Sequence, residues 1–241
     1  NKQWVTYDDF GANKQKKYFN PSDRKYYLDV DFINEYIHDD GFEIRQAHEY
    51  ANKHNLQVIN LDGDYVIKNT RKIPVLTSFD FGTTVFHTEE NFIWTGVDTK
   101  ISNEPFSIRS RNKWFTLDNA YYDSILKRMK KGTRNIPELE EYVNHYCIVE
   151  DSTRNVGKRQ GVNGDNGRPM QDWFYIGNGG QIVGDITWDF TNITEIRLVK
   201  CDESFLTGKG GTILLNGVLQ SSNPSSYIKT GFSIERSRVF I

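Results

Sequence analysis

Apolar side chains along this chain recur mostly at alternate positions, in short runs broken by Gly, Asn, Asp and Pro. That is the period of half-buried strands joined by turns. LQVINL from Leu56, YVIKN from Tyr65, PVLTSFDFG from Pro74 and TTVFHT from Thr83 follow one another in this manner. After Tyr146 the pattern returns in YCIVED, DWFYIGNGGQIVGDITWDF, TEIRLVK and GGTILLNGVLQ. One segment follows a different period. Ile44, Ala47 and Ala51 share a helical face, Asp40 stands at the N-cap with Glu43 three positions on, and Asn55 closes the run. This is the spacing of a capping box, and it predicts an amphipathic helix over 40–54 that must lie against something.

Around these elements, Trp4 to Tyr7 reads as a short strand running into a turn at Gly11, followed by a polar loop. Between Asn119 and His145 the pattern is helical or irregular. Pro137 sits at a first-turn position ahead of Glu138, Glu140 and Glu141, and the basic run KRMKKGTR reads as a solvated face. FSIRSR from Phe106 is nearly repeated as FSIERSR from Phe232. Such an echo predicts a repeating architecture in which each repeat adds one strand to a continuous sheet. The resulting division is 1–56 (strand, loop and helix), 57–118 (first repeats), 119–145 (insert) and 146–241 (hairpin and further repeats). The last run, with Phe232, Ile234, Val239 and Ile241 apolar, ends without a cap or polar tail. An uncovered strand edge is a liability, so the expectation is that the chain is the front part of something longer.

Composition narrows the function classes. Thirty basic and 32 acidic side chains give a net charge of −2, which does not ask for nucleic acid or an anionic membrane as partner. No window approaches the ~18–20 apolar residues of a membrane-spanning helix. An aromatic share of 14% suits both β packing and the apolar faces of sugar rings. Cys147 and Cys201 are expected as free buried thiols, the alternative being a disulfide between them in an oxidising compartment. The five histidines show no metal-ligand spacing, so neither a metal nor a cofactor is expected. GKGGT at Gly208 lacks the spacing of a phosphate loop and reads as a turn between strands.

Two groups of residues carry candidate chemistry. Asp185, Asp189, Glu195, Asp202 and Glu203 supply carboxyl groups in the later β region, where glycoside hydrolysis would need a pair across a groove. Their plainer reading is as turn and surface charges. The better binding candidate is the stretch from Arg159 to Tyr175. Arg159, Asn163, Asp172, Trp173 and Tyr175 offer groups that hydrogen-bond hydroxyls and stack on a sugar ring. The alternative is a hairpin whose Gly and Asn residues serve the turn and whose Trp is core.

YDDFGA at Tyr7 to Ala12, a helix ending AHEYANKHN and the strand pair LQVINLDGDYVI resemble the N-terminal signature of the pectate-lyase-like right-handed parallel β-helix superfamily. GVNGDNGRPMQDWFYIGNGGQIV, ITWDF and FLTGKGGTILLNG are similar to later segments of its members. The stretch after YDDFGA departs from the family pattern, and HDDG before the helix stands where displaced aspartates would be. The resemblance implies an all-β fold, a right-handed parallel β-helix with an N-terminal capping α-helix and a helical or irregular insert. It also implies a phage tailspike or tail-appendage role in recognising, with the possibility of depolymerising, host cell-surface polysaccharide. Homotrimeric assembly, other tail proteins as partners and a virion-tail location belong to that expectation. The alternatives are a secreted, extracellular bacterial polysaccharide lyase or glycoside hydrolase, and a non-enzymatic adhesin or virion protein. Because the saccharide groove of such proteins often lies in later repeats, any catalytic groups are expected beyond Ile241, and this chain by itself is expected not to depolymerise.

Overall fold

The structure is a computed structural model, and it describes residues 2–88, 93–94, 104–157, 167–215, 227–228 and 231–241. The chain divides into two compact units, Asn1–Arg111 with Glu203–Ile241, and Asn112–Asp202. In chain order the first unit holds β1 (Trp4–Val5), β2 (Tyr18–Asn20), β3 (Lys25–Tyr27), α1 (Gly41–His54), β4 (Gln57–Ile59), β5 (Asp64–Ile67), β6 (Ile73–Val75), β7 (Phe79–Asp80), β8 (Val85–Thr88), β9 (Ile93–Trp94) and β10 (Phe106–Arg109). The second holds β11 (Phe115–Thr116), α2 (Tyr122–Leu126), β12 (His145–Val156), β13 (Arg168–Ile176) and β14 (Glu195–Lys200). The first then resumes with β15 (Leu206–Lys209), β16 (Thr212–Leu215), β17 (Tyr227–Ile228), β18 (Phe232–Glu235) and β19 (Val239–Phe240).

Three parallel sheets, in the orders β1-β4-β7-β15-β19, β18-β10-β6 and β16-β8-β5, share one core with α1 in the first unit. Two antiparallel pairs, β2-β3 and β17-β9, are not hydrogen-bonded into them, and β2-β3 packs on β5 and β8 through Tyr26 against Val66 and His87. The FSIR echo is a true pairing. β10 and β18 lie parallel in register, Phe106 beside Phe232 and Ile108 beside Ile234. The two phenyl rings stack with centroids 5.2 Å apart, and the Ser107 and Ser233 hydroxyls are 3.0 Å apart. Like residues in register give each sheet face a uniform ladder, which is the sheet counterpart of a repeat. GKGGT is a turn between β15 and β16. Gly210 has φ +73°, and a Cβ there would lie 2.5 Å from the Gly82 nitrogen, so both conformation and space require glycine.

The expected all-β right-handed parallel β-helix is nevertheless not the fold. The chain is mixed α/β, with several small, separate parallel and antiparallel sheets. The physical reason lies in strand length and connection. Strands of the first unit are two to four residues long and are punctuated by left-handed residues such as Lys72 (φ 51°) and Gly82 (φ 47°), so each ladder ends after a few hydrogen bonds. The second unit departs further. β12 is 12 residues and β13 nine, and they pair antiparallel as sequence neighbours within the sheet β11-β14-β12-β13.

The helix forms where its apolar face predicted, with Ile44, Ala47 and Ala51 fully buried and Asn55 closing it at φ 54°. Its start is built differently from a capping box, because the Asp40 side chain makes no cap hydrogen bond. Asp39 supplies the cap instead. Its carboxylate accepts from the Gly41 N–H and also from the N–H groups of Lys68, Asn69 and Thr70 and the Thr70 hydroxyl. A Cβ on Gly41 would lie 2.4 Å from the Thr70 Cβ, so this residue must be glycine for the helix start to sit so close. Asp40 reaches the neighbouring strand, accepting from the Val66 N–H at 2.7 Å and the Tyr36 hydroxyl at 2.5 Å. The two aspartates of HDDG thus tie α1 to β5 and the residues after it.

The core of the second unit is formed by residues such as Ile125, Met129, Leu139, Phe174, Ile196 and Leu198. Pro137 opens a 3-10 helix, Pro137–Tyr142. The basic run is only partly a solvated face. Met129 within it is buried, Arg128 pairs with Glu138 at 3.0 Å and Lys130 Nζ donates to the Phe190 carbonyl. Both cysteines are free thiols, Cys147 buried and Cys201 half-buried, and burial pushes the Cys147 thiol well up. Among the described residues no helix is long and apolar enough to cross a membrane.

Candidate functional site

The antiparallel sheet of the second unit has one covered and one open face. In a strand successive side chains alternate between faces, so register decides which residues meet. On β12 Cys147, Val149 and Asp151 point into the core, and on β13 Met170, Asp172, Phe174 and Ile176 do so. The intervening residues stand on the other face. Tyr146 lies opposite Tyr175, Ile148 opposite Trp173 and Glu150 opposite Gln171. On the other side of β12, Val199, Arg197 and Glu195 of β14 lie opposite the same three residues.

The open face displays aromatic surface beside hydrogen-bonding groups. Trp173 is 54% exposed and Tyr146 36%, their rings in edge contact at 6.3 Å and 72°. Ile148, which lies between Trp173 and Arg197 across the three strands, is 3% exposed and gives the face an apolar centre. Trp173 Nε1 donates to Gln171 Oε1 at 3.0 Å, and Gln171 Nε2 donates in turn to Glu150 Oε2. The Tyr175 hydroxyl donates to Asn144 Oδ1 at 3.3 Å. Trp173 and Tyr175 are therefore each held at a polar edge, the arrangement that lets an aromatic platform bind without first paying for its own ordering.

Of the five residues expected to bind, Trp173 and Tyr175 lie on this face. Asp172 does not. It is 7% exposed on the core side, where Oδ2 accepts from the N–H groups of Thr187 and Trp188, and burial pushes its carboxyl pKa upward. Its work is to pin the 187–188 segment. Arg159 and Asn163 lie outside the described residues. Tyr146, Glu150, Gln171 and Arg197 were not singled out by sequence reasoning. Their signal was present in the matching alternation of YCIVED and QDWFYI, but the register that joins them is a tertiary fact.

The candidate carboxylates are dispersed. Asp185 faces Arg134 at 3.9 Å, Asp189 accepts from the Lys131 N–H, Asp202 is buried, and the Glu203 carbonyl accepts from Arg238. Glu195 alone of the five stands on the open face. In the first unit a second polar cluster appears that no residue spacing announced. The ligand atoms of His38, Asp40 and Glu43 lie within 4.8 Å of one another. Asp40 is already committed to Tyr36, Val66 and the buried Lys17 ammonium 3.6 Å away, and His38 Nε2 sits 3.0 Å from both Glu43 oxygens. The cluster is a structural ion-pair network at the helix start. Burial raises the Asp40 pKa and lowers that of Lys17, and the opposite charge of each partner works against that shift.

No protein-family model matches the chain, and no curated protein matches it.

Proposed function

We propose that this protein binds saccharide through the open face of the β11-β14-β12-β13 sheet. The observation that carries the reading is the exposed Trp173–Tyr146 pair beside the buried Ile148, edged by Gln171, Glu150, Glu195 and Arg197. A flat apolar ring with hydrogen-bonding groups at its margin matches the two surfaces of a pyranose, its axial C–H face and its equatorial hydroxyls. The wider role proposed with it is a tail-appendage protein that recognises host cell-surface polysaccharide, working as a homotrimer with other tail proteins. Its support is the sequence resemblance of the YDDFGA segment and the following helix.

The test is binding of the intact protein to immobilised bacterial capsular and wall polysaccharides, compared with Trp173→Ala and Tyr146→Ala. Loss of one stacking ring is expected to weaken binding roughly tenfold or more. Retained affinity in both variants would refute the assignment of this face. Sedimentation of the protein as a strict monomer would count against the assembly part of the proposal. The reading is one of recognition, and release of reducing ends or unsaturated uronates by this chain would overturn the expectation that it does not depolymerise.

A further inference from the structure

The charges on this face point to a particular sugar chemistry. Glu150 and Glu195 occupy directly opposed positions on neighbouring strands, a placement in which like charges repel across roughly 4.5–5.5 Å between Cβ atoms. Arg197 Nε lies 3.1 Å from Glu195 Oε2 but forms no hydrogen bond, so its attraction is Coulombic only. Thr116 Oγ1 meets the other Glu195 oxygen at 3.5 Å. Glu150 receives only the neutral amide of Gln171, and among the described residues no cation lies within ion-pair distance of it. One guanidinium is thus set against two carboxylates. The uncompensated negative charge is linked through Gln171 to the edge of the exposed Trp173 ring.

Resting on the saccharide reading of the same face, we propose that its ligand carries a free, protonated amine: an amino sugar with an unsubstituted amino group, not a uronate. An ammonium reaching Glu150 from a ring stacked on Trp173 would relieve the Glu150–Glu195 repulsion, form a charge-assisted hydrogen bond and lie near the negative face of the indole. A sugar carboxylate in the same place would meet two like charges and one guanidinium already engaged with Glu195. The face therefore selects by repulsion as well as by attraction.

The probes are glucosamine oligomers, their fully N-acetylated counterparts and galacturonate oligomers of equal length, titrated calorimetrically against the intact protein, Glu150→Gln and Trp173→Ala. The wild type is expected to bind the free-amine oligomer roughly tenfold tighter than the acetylated one, the size of one charge-assisted hydrogen bond at a half-exposed site. It should bind the uronate more weakly than either. Glu150→Gln, whose retained fold is checked by circular dichroism, should bring the amine and acetylated affinities together. Trp173→Ala should weaken both. Equal binding of amine and acetylated oligomers by the wild type, tighter binding of the uronate, or a preference that survives Glu150→Gln would overturn the amine proposal and leave the platform standing. Failure of the wild type to bind any of the three, together with failure on the polysaccharide panel, would bring down the platform reading as well.

Discussion

In the first unit Tyr7, Tyr65, Phe81, Phe86 and Phe106 interlock inside the core, ring against ring at centroid separations of 5.1–6.1 Å. In the second unit the core is mostly aliphatic, with Phe174 and Phe190 its only fully covered rings among the described residues, while Trp173, Tyr146, Trp188 and Trp114 are exposed. The high aromatic content of the chain thus has two separate explanations. Wide rings fill the volume between short strands that contribute few side chains each. On a long antiparallel sheet, whose alternation gives a clean inner and outer face, rings are free to serve the outer one.

The largest effect should come from emptying the first core. Phe81→Ala removes a ring that touches Tyr7, His48, Phe79, Phe86 and Phe106, and should cost about 3–5 kcal/mol in urea unfolding. A cost under 1 kcal/mol would mean that these rings are not a packed unit. Next, Asp40→Ala should cost about 3 kcal/mol, because it removes the carboxylate paired with the buried Lys17 ammonium and the acceptor of the Tyr36 hydroxyl. Restoration of most of that loss by adding Lys17→Met would show that the stranded charge is its source.

A pH dependence follows from His48, which is fully buried among Tyr7, Phe81 and Phe106, with its Nε2 3.0 Å from the Tyr7 hydroxyl. Burial lowers its pKa to about 3, against 6.5 for the ordinary side chain. Below pH 6.5 the unfolded chain takes up a proton that the folded one refuses, so the stability contributed by neutral His48 is present above 6.5 and is lost as pH falls toward 3. The slope from this residue is about 1.4 kcal/mol per pH unit. Stability measured from pH 7 to 4 should fall less steeply in His48→Gln, and an unchanged slope would remove His48 as its cause. The smallest stability effect belongs to the second unit. Trp173→Ala should cost only about 0.5–1 kcal/mol while weakening the proposed saccharide binding about tenfold. A loss as large as that of Phe81→Ala would make Trp173 a packing residue and erase the contrast between the two units.

What was legible in the sequence was local period. The spacing of Ile44, Ala47 and Ala51 defined the buried face of α1, and Asn55 its end, because 3.6 residues per turn is set by the backbone itself. Likewise the alternation through QDWFYI placed Trp173 and Tyr175 together, and it already forbade Asp172 from joining them. The FSIR echo found two strands that pair in register although a whole unit separates them in the chain. Pairing and partition were not legible. Nothing local says that β12 lies between β13 and β14, which is what brings Tyr146, Glu150 and Arg197 to Trp173. Nor does it say that Asp39 caps the helix while Asp40 turns away to Val66 and Lys17. Several small parallel and antiparallel sheets arose where one repeating sheet was expected, for the same reason. Strand period is a property of each residue's own backbone, but the choice of neighbour depends on which long-range arrangement buries the most apolar surface for the least loop-closure entropy, and only the folded chain makes that choice.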